Sequence, residues 1–196
     1  RGELQANGTV LLTGTKEFLT TANDKWRTMR FLQENGFPCL KTYLPGDRDR
    51  AVAELGFPLV VKPRRGWGQR GFAVVADAAR LDAHLAELRG LQWDCVIQEF
   101  VGEEAGEFTT SVMVATDGEN LGSIAMKRRL EKGSTREMEI DDFPAIRAQI
   151  EKLATTLFSQ LRAIGPMNFQ GRVRDGKFYV FEINALADEC ARAYKG

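Results

Sequence analysis

Apolar residues recur at helical spacing in three long stretches of the chain, about 25–35, 77–90 and 144–163. A shorter helix is predicted to end at Leu55, where Gly56 and Pro58 follow. Asp24 and Asp77 stand immediately before the first two stretches, as helix N-caps do. The longest stretch carries one apolar stripe, formed by Ile146, Ile150, Leu153, Leu157 and Leu161. These stretches predict amphipathic helices, each packed by one face against a core.

Short apolar runs between the helical stretches predict strands, and most of the later runs follow one another through short turns. The predicted strands are 9–13, 59–62, 72–75, 95–101, 108–115, 121–130, 167–173 and 178–183. The polar stretch 133–142 is predicted to be an exposed loop. Because the connections are short, the pattern favours antiparallel sheets with helices on one side over βαβ winding. The predicted fold class is therefore α+β.

Charge and composition narrow the classes of partner. The 196 residues contain 27 basic and 27 acidic side chains, so the formal net charge is zero. This balance disfavours charge-driven binding to nucleic acid or to an anionic membrane. No apolar run approaches the ~20 residues that span a bilayer. The sequence therefore predicts neither a nucleic-acid partner nor a membrane partner.

Cysteine and histidine usage restricts the chemistry. The three cysteines, Cys39, Cys95 and Cys190, are far apart and follow no metal-binding spacing. They are typical of free thiols in a reducing compartment, so a cytoplasmic location is expected. His84 is the only histidine and lies in a helical stretch. Its position disfavours Ser-His-Asp and Cys-His catalysis and histidine-based metal sites.

A glycine-rich loop follows the strand that ends at Lys62. Gly66, Gly68 and Gly71 have the spacing G-x-G-x-x-G, but a strand follows them where a dinucleotide-binding fingerprint needs a helix. The loop also carries three arginines, Arg64, Arg65 and Arg70. One interpretation is a phosphate-binding flap, because glycines let backbone N–H groups approach phosphate oxygens. A solvent-exposed hairpin is the alternative, and the motif alone does not separate them.

The last predicted hairpin carries a candidate metal site. Glu182 and Asn184 are two residues apart on a strand, so both point to one face, while Phe181 and Ile183 are expected on the other. A carboxylate beside an amide oxygen suits a hard divalent ion. A hairpin with one solvated polar face is the alternative.

The pairing register of this hairpin depends on the loop that closes it. A two-residue turn at 175–176 would place Gln170 on the wrong face. A three-residue loop at 175–177 would set Gln170 opposite Glu182, and Asn168 opposite Asn184. We therefore predict the three-residue loop.

The segment 96–102 lies between the glycine-rich loop and the last hairpin along the chain. A strand that ends in a connector offers backbone groups that could bind an adenine edge, here Glu99, Phe100 and Val101. Glu107, a few residues later, could accept ribose hydroxyls. An ordinary edge strand with an acidic loop explains the same residues.

The features in this order resemble the ATP-grasp superfamily, specifically its carbamoyl phosphate synthetase-like branch. The resemblance runs from about 24 to 184 and includes four blocks: Asp-Lys-Trp-Arg at 24–27 with Gly-Phe-Pro at 36–38; Phe-Pro-Leu-Val-Val-Lys-Pro at 57–63 with Gly66 and Gly68; Ile-Gln-Glu-Phe-Val-Gly at 97–102 with Glu107; and Gly-Pro-Met-Asn-Phe-Gln-Gly at 165–171 with Phe-Glu-Ile-Asn at 181–184. The last block is the most specific of the four.

The resemblance implies two α+β lobes with antiparallel sheets that hold ATP between them. It implies phosphate contacts from Lys25 and Lys62, a flap containing Gly66, Gly68 and Gln69, an adenine hinge at Glu99, Phe100 and Val101, and a ribose carboxylate at Glu107. Gln170, Glu182 and Asn184 are the implied ligands of Mg²⁺ (or Mn²⁺). Such enzymes activate a carboxylate or bicarbonate as an acyl phosphate, which an amine or ammonia then attacks. The implied partners are therefore small carboxylate and amine substrates.

The resemblance implies a division of the chain into three segments. Residues 1–20 are expected to be the remnant of a preceding domain, 21–94 the first lobe with the flap, and 95–196 the second lobe with the metal-binding hairpin. Lys62 and Arg128 are the candidate catalytic residues. Arg128 lies in Lys-Arg-Arg at a strand end, where it could hold an anionic substrate or simply be solvated. The pattern leaves a homodimer open.

Two positions depart from the family pattern. Gln69 stands where a serine is usual, and Asn184 runs into Ala185 where Pro-Arg is usual. The second departure keeps an alternative function open, a degenerate nucleotide-binding module without ligase turnover. A kinase-like phosphotransferase is disfavoured, because Lys62 precedes the glycine loop and no His-Arg-Asp motif occurs.

Overall fold

The structure, a computed structural model, describes residues 12–66, 70–102, 106–131 and 134–185. Its helices are α1 (Lys16–Ala22), α2 (Lys25–Glu34), α3 (Arg48–Leu55), α4 (Ala78–Gly90) and α5 (Pro144–Leu161). Its strands are β1 (Thr42–Tyr43), β2 (Leu59–Pro63), β3 (Ala73–Val75), β4 (Cys95–Glu99), β5 (Glu107–Val114), β6 (Asn120–Glu131), β7 (Ser134–Ile140), β8 (Gly165–Arg174) and β9 (Lys177–Ala185).

The strands form two antiparallel sheets, of order β1-β4-β2-β3 and β7-β6-β5-β8-β9. The predicted α+β class with antiparallel sheets is confirmed. All strands of the four-stranded sheet precede residue 100, because β4, which ends at Glu99, pairs with β2. The predicted lobe boundary at 94–95 falls before β4 and therefore would split the four-stranded sheet.

Each sheet has its own core. In the four-stranded sheet, Leu59, Val61 and Ile97 pack against Leu81 and Leu88 of α4. The larger core joins the five-stranded sheet to α1, α2 and α5 through residues such as Phe18, Leu32, Leu153, Leu157, Phe169 and Ile183. Although α2 was assigned to the first lobe, its apolar face packs against the second sheet's core.

The two helix N-caps that the sequence indicated, Asp24 and Asp77, are confirmed. Asp24 accepts hydrogen bonds from the backbone of Trp26 and Arg27, and Asp77 caps α4 in the same way. Gly36 follows α2 with φ 70°, a conformation that glycine adopts without strain. The helix α1 was missed, although Thr15 caps it. The predicted strand 9–13 lies mostly outside the described residues, and Leu12 and Thr13 are not in a strand.

The prediction of a loop at 133–142 was wrong. Residues 134–140 form β7, which pairs with β6, and Glu137 forms an ion pair with Arg129 across the two strands. The strand is at the sheet edge and is exposed along the part whose side chains are described. This edge strand buries little, and Met138 and Ile140 are the only apolar residues in the stretch 133–142, so its polar composition indicated a loop.

The β8–β9 hairpin reaches the predicted pairing by a different route. Its turn has two residues, since Arg174 pairs with Lys177. A β-bulge then shifts the register, with Gly171 opposite Val180 but Gln170 opposite Glu182. The extra residue, Phe181, restores the pairing that the three-residue loop was invoked to give. The predicted loop length was wrong, but the predicted pairs at the candidate site are confirmed.

Gly171 is required by this bulge. A Cβ at this position would lie 2.5 Å from the backbone oxygen of Tyr179 and 2.6 Å from the Phe178 ring. We expect Gly171→Ala to lower the free energy of unfolding by about 2 kcal/mol or more, because the buried contact is too short to relax without moving backbone. Denaturant unfolding measures this, with Gly90→Ala as control, since nothing lies within 4 Å of its added Cβ. Equal stability of the two variants would contradict the expectation.

In the described part of the chain, no helix is long and apolar enough to cross a bilayer. Cys39 and Cys95 are free thiols, as predicted, whereas Cys190 lies outside the described residues.

Candidate functional site

The helix-free faces of the two sheets meet, and most of the predicted site residues lie between them. In β2, Val61 faces the helices, so its neighbour Lys62 faces the other sheet. In the five-stranded sheet, Phe169 faces the core, so Gln170 lies on the opposite face. Lys62 Nζ lies 5.1 Å from the ring centroid of Phe181 on β9, which shows that the two faces are in contact.

The orientation of Phe181 differs from the prediction. It was predicted to point away from Glu182, yet its ring reaches Lys62. The cause is the bulge, which gives Phe181 no partner of its own on β8 and so interrupts the alternation of faces.

Lys62 is buried and carries the site's largest electrostatic perturbation. Its residue is 8% exposed, and burial lowers the pKa of its ammonium group to about 8. The nearby charge of Lys25 lowers this pKa further, while Glu182 and Glu107 oppose the shift. Among the described residues no carboxylate is bonded to Lys62, and a buried cation of this kind is poised to bind an anion.

Lys25 is held at the first residue of α2, where it reaches across to β9. Its Nζ lies 3.3 Å from Glu182 Oε1 and donates a hydrogen bond of 3.1 Å to the carbonyl of Gly66. Its backbone N–H also donates to the carbonyl of Arg64. Lys25 therefore connects the start of the glycine loop to the candidate metal site.

Two arginines of the glycine loop have a structural role. Arg64 makes a bidentate pair with Asp24, at 3.1 and 2.7 Å, and Arg65 Nε lies 3.6 Å from the same carboxylate. Asp24 is fully buried while it caps α2. Both arginines thus hold Asp24, which caps the helix that begins at Lys25, whereas the sequence left open whether the charge of this loop binds phosphate or is solvated.

The far end of the loop is also anchored. His84 on α4 makes a 3.0 Å hydrogen bond to the carbonyl of Gly71 and a second to Glu87. The glycine loop is therefore attached at Gly66 and at Gly71 to side chains from two different helices. Gly68 and Gln69 lie outside the described residues, so their predicted role in the flap stays a prediction.

The candidate metal donors face one another in adjacent pairs. Gln170 is opposite Glu182, and Asn168 is opposite Asn184. Asn184 donates an N–H to Asn168 Oδ1 at 3.4 Å, which turns its own oxygen outward. Asn168 in turn donates to the Thr109 hydroxyl at 2.7 Å.

This donor set fits a hard ion. One carboxylate with two amide oxygens suits Mg²⁺, which commonly takes few protein ligands and completes its shell with water and phosphate oxygens. No cluster of three or more His, Cys, Asp or Glu that could hold a metal occurs within the ranges 12–66, 70–102, 106–131 and 134–185. A structural zinc site of that kind is therefore absent from the described ranges.

Glu107 and Arg128 are brought together on adjacent strands. They pair directly across β5 and β6 and form an ion pair. Arg128 Nη2 also donates to Gln170 Oε1 at 3.0 Å, while Arg172 Nη2 lies 3.3 Å from the other oxygen of Glu107. The Arg128 side chain therefore lies at the candidate site. It contacts Glu107 and Gln170 and is not simply solvated.

The predicted adenine hinge is fixed by side chains from the larger sheet. Arg172 donates to the carbonyls of Val101 and Gly102 at 2.7 and 2.9 Å, and Arg174 lies 3.3 Å from Glu99. Phe100 between them is half-buried. These contacts place the hinge beside Glu107, and its role in adenine binding stays a prediction.

Sequence reasoning missed Arg172 altogether. It bonds both the hinge and Glu107 and so joins two parts of the predicted nucleotide site. The available signal was its position two residues after Gln170, which put it on the same strand face.

Comparison with known proteins identifies the family. The model of the ATP-grasp domain matches residues 22–186. The chain is 26% identical to the carbamoyl phosphate synthase large chain of Pseudothermotoga lettingae over 94% of its length, and it spans 18% of that protein. It is 30% identical to D-alanine–D-alanine ligase A of Bacillus cereus over 68% of its length, and it spans 46% of that protein. The chain thus corresponds to less than half of either relative.

Solved structures show the same fold. The N5-carboxyaminoimidazole synthetase of Staphylococcus aureus complexed with ADP superposes with a TM-score of 0.77 at 15% identity, over 93% of this chain and 49% of that one. The D-alanine–D-alanine ligase of Bacillus anthracis complexed with ATP gives 0.69 at 23% identity, over 99% and 68%. Two antiparallel sheets, the matching family model and the likeness to carbamoyl phosphate synthase confirm the predicted resemblance, and the chain belongs to the ATP-grasp family.

Proposed function

We propose that this chain forms the nucleotide site of an ATP- and Mg²⁺-dependent ligase that joins a carboxylate to an amine or ammonia. The observation that carries the proposal is the convergence of Lys25 and Lys62 on the face that holds Glu182, Gln170 and Asn184. Buried cations beside oxygen donors for a hard ion are the groups that phosphoryl transfer needs, because negative charge must be neutralised.

The relatives' names support this reaction class. The relatives are named as a synthase, a ligase and a synthetase, and one solved relative was complexed with ATP and another with ADP. In the proposed reaction a carboxylate oxygen attacks the γ-phosphorus of ATP, the bond to the β,γ-bridging oxygen breaks, and ADP leaves. The nitrogen of the amine then attacks the acyl carbon, phosphate leaves with the electrons of the C–O bond, and the nitrogen loses a proton.

Residues of the chain divide the binding of ATP between them. Lys62 and Lys25 would bind the phosphates, with Lys25 exchanging the carbonyl of Gly66 for a phosphate oxygen. The backbone at Glu99–Val101 would bind adenine, and Glu107 the ribose. Lys62 is already dehydrated, so its charge acts on the phosphate in surroundings of low dielectric.

Glu182, Gln170 and Asn184 would hold the magnesium ion. When bound, the ion supplies positive charge that neutralises the phosphate oxygens. The bulge at Phe181 sets Gln170 opposite Glu182, and the hydrogen bond that Asn184 donates to Asn168 orients Asn184. These residues therefore present their oxygens without rearranging the hairpin.

Calorimetric titration with ATP, with and without Mg²⁺, tests the nucleotide site. We expect micromolar binding that requires the metal, followed by phosphate release only when a carboxylate and an amine are both present. Glu139→Gln removes a carboxylate on the exposed edge strand, outside the proposed site, and this variant should bind ATP as the unaltered chain does.

A second candidate has one observation in its favour. Asn184 is followed directly by Ala185, where Pro-Arg is usual in the family. Metal-dependent ATP binding with no phosphate release across a panel of acids and amines would favour a nucleotide-binding module without turnover. Absence of ATP binding would overturn both candidates.

A further inference from the structure

The site face of the larger sheet continues past the candidate metal donors to an apolar edge. Direct pairing defines one row of residues across five strands: Glu182, Gln170, Thr109, Met126 and Ile140. The neighbouring row contains Arg172, Glu107, Arg128 and Met138. Cross-strand partners project to the same face of a sheet. Met126, Met138 and Ile140 therefore lie on the face that carries Glu182 and Arg128.

The apolar residues of β7 face away from the core. Ala125 on β6 is in the core, so Met126 and its partner Ile140 lie on the opposite face. Glu137 and Glu139, which alternate with Met138 and Ile140, fall on the core side beyond the helices. Burial in the core would favour the reverse arrangement.

The apolar side chains at this edge of the sheet are exposed to solvent. Ile140 is 68% exposed and Met138 is 55% exposed, while Met126 is half-buried beside them. We call Met126, Met138 and Ile140 the edge patch. A cluster of exposed apolar side chains that borders a polar site is typical of a ligand-binding surface.

Arg128 supplies a charged group next to the edge patch. It pairs directly with Met138, and its Nε is buried without a hydrogen-bond partner among the described residues. Arg128 and Arg172 share one carboxylate, Glu107, so this group of three carries one excess positive charge. An unpaired buried donor costs free energy that a bound anion would recover.

We propose that the carboxylate substrate is an acid with an apolar substituent, whose carboxylate binds at Arg128 and whose apolar part covers the edge patch. This inference rests on the proposed ligase function. Gln170, one of the proposed metal donors, accepts a hydrogen bond from Arg128 and is paired with Glu182. A carboxylate bound at Arg128 would therefore be separated from the nearest metal donor by the Arg128 side chain alone. Bicarbonate and dicarboxylic acids fit the arrangement poorly, because neither offers an apolar surface to the patch.

A series of acids at fixed Mg-ATP tests the preference. ADP formation is measured with acetate, butanoate, hexanoate, succinate and bicarbonate, and hydroxylamine traps the acyl phosphate whatever the natural amine is. We expect kcat/KM to rise by up to about fourfold for each methylene that the patch covers. Butanoate should exceed succinate, which has the same chain length and a second charge.

Variants of the edge patch assign the preference to these residues. Met138→Ser with Ile140→Ser should abolish the gain from butanoate to hexanoate and leave the affinity for ATP unchanged. Leu121→Ser is the control, because Leu121 is 58% exposed near the other end of β6. Hexanoate titrated into the ATP-free protein, followed by saturation-transfer NMR, should lose its signal in the double variant only.

The outcomes distinguish a failure of this inference from a failure of the proposed ligase function. Absence of ATP binding overturns the ligase proposal, whereas the NMR titration still reports on the edge patch. ATP-dependent turnover that favours bicarbonate or succinate, or that ignores chain length, overturns the inference alone. A change of oligomeric state in the double variant, seen by light scattering, would assign the patch to contact between two copies and overturn it too.

Discussion

Replacing Glu182 by glutamine is expected to lower ATP-dependent phosphate release by about 10²- to 10³-fold. Glu182 is the only carboxylate in the proposed set of metal donors, and its neighbours Gln170 and Asn184 are uncharged. The substitution keeps the shape of the side chain but removes the charge that the ion and Lys25 both face. Metal-dependent ATP binding in a calorimeter should weaken together with turnover.

The comparison needs a variant that changes charge without touching the site. Glu119→Gln serves, because Glu119 is exposed in the turn between β5 and β6. Unfolding curves should show that both variants are folded. If Glu182→Gln kept full phosphate release at equal Mg²⁺, the donor set proposed for the metal would be wrong.

The sequence predicted the elements that carry strong local signals. Asp24 and Asp77 cap helices because a side-chain oxygen next to a free N–H is a local interaction, so its signal lies in a few residues. Gln170 and Glu182 were paired correctly because the register was chosen to bring the two oxygen donors opposite each other on one face. The candidate site was predictable to the extent that it depends on such spacing.

The missed features depend on tertiary contacts. The prediction used a three-residue turn where the structure has a bulge at Phe181. Both devices shift the pairing register by one residue, and the nearby sequence does not distinguish them. Local sequence did not show what Arg64 and Arg65 contact, because their partner, Asp24, lies 40 residues before Arg64 in the chain. Edge strand β7 was missed because it gains its stability from one neighbouring strand and buries little.

Replacing Lys62 by methionine is expected to lower phosphate release by about 10²- to 10³-fold, because it removes the buried cation that the proposed function assigns to the phosphates of ATP. The same change should stabilise the free protein at neutral pH. Burial lowers the pKa of Lys62 to about 8 from the ordinary 10.5. Such a shift corresponds to a cost of about 3 kcal/mol for keeping the ammonium charged in the folded state.

The sign of the pH dependence follows from proton uptake. Between pH 8 and 10.5 the unfolded chain holds more protons at Lys62 than the folded chain does. Stability of the unaltered protein should therefore rise with pH across that window, while below pH 8 the cost is present in full. Lys62→Met lacks this contribution, so the stability difference between the two proteins should shrink as pH rises from 7 to 10. Denaturant unfolding at both pH values measures it.

An exposed lysine provides the control for this measurement. Lys177→Met, at the β8–β9 turn, should leave the pH dependence of stability as it is in the unaltered chain. A phosphate bound at Lys62 would favour the charged form and raise its pKa, so ATP affinity should fall as pH rises through about 8. Because the free protein bears the cost of the charge and the bound anion relieves it, Lys62→Met should combine higher stability with weaker ATP binding. A variant that loses both would show that Lys62 supports the fold and not the nucleotide.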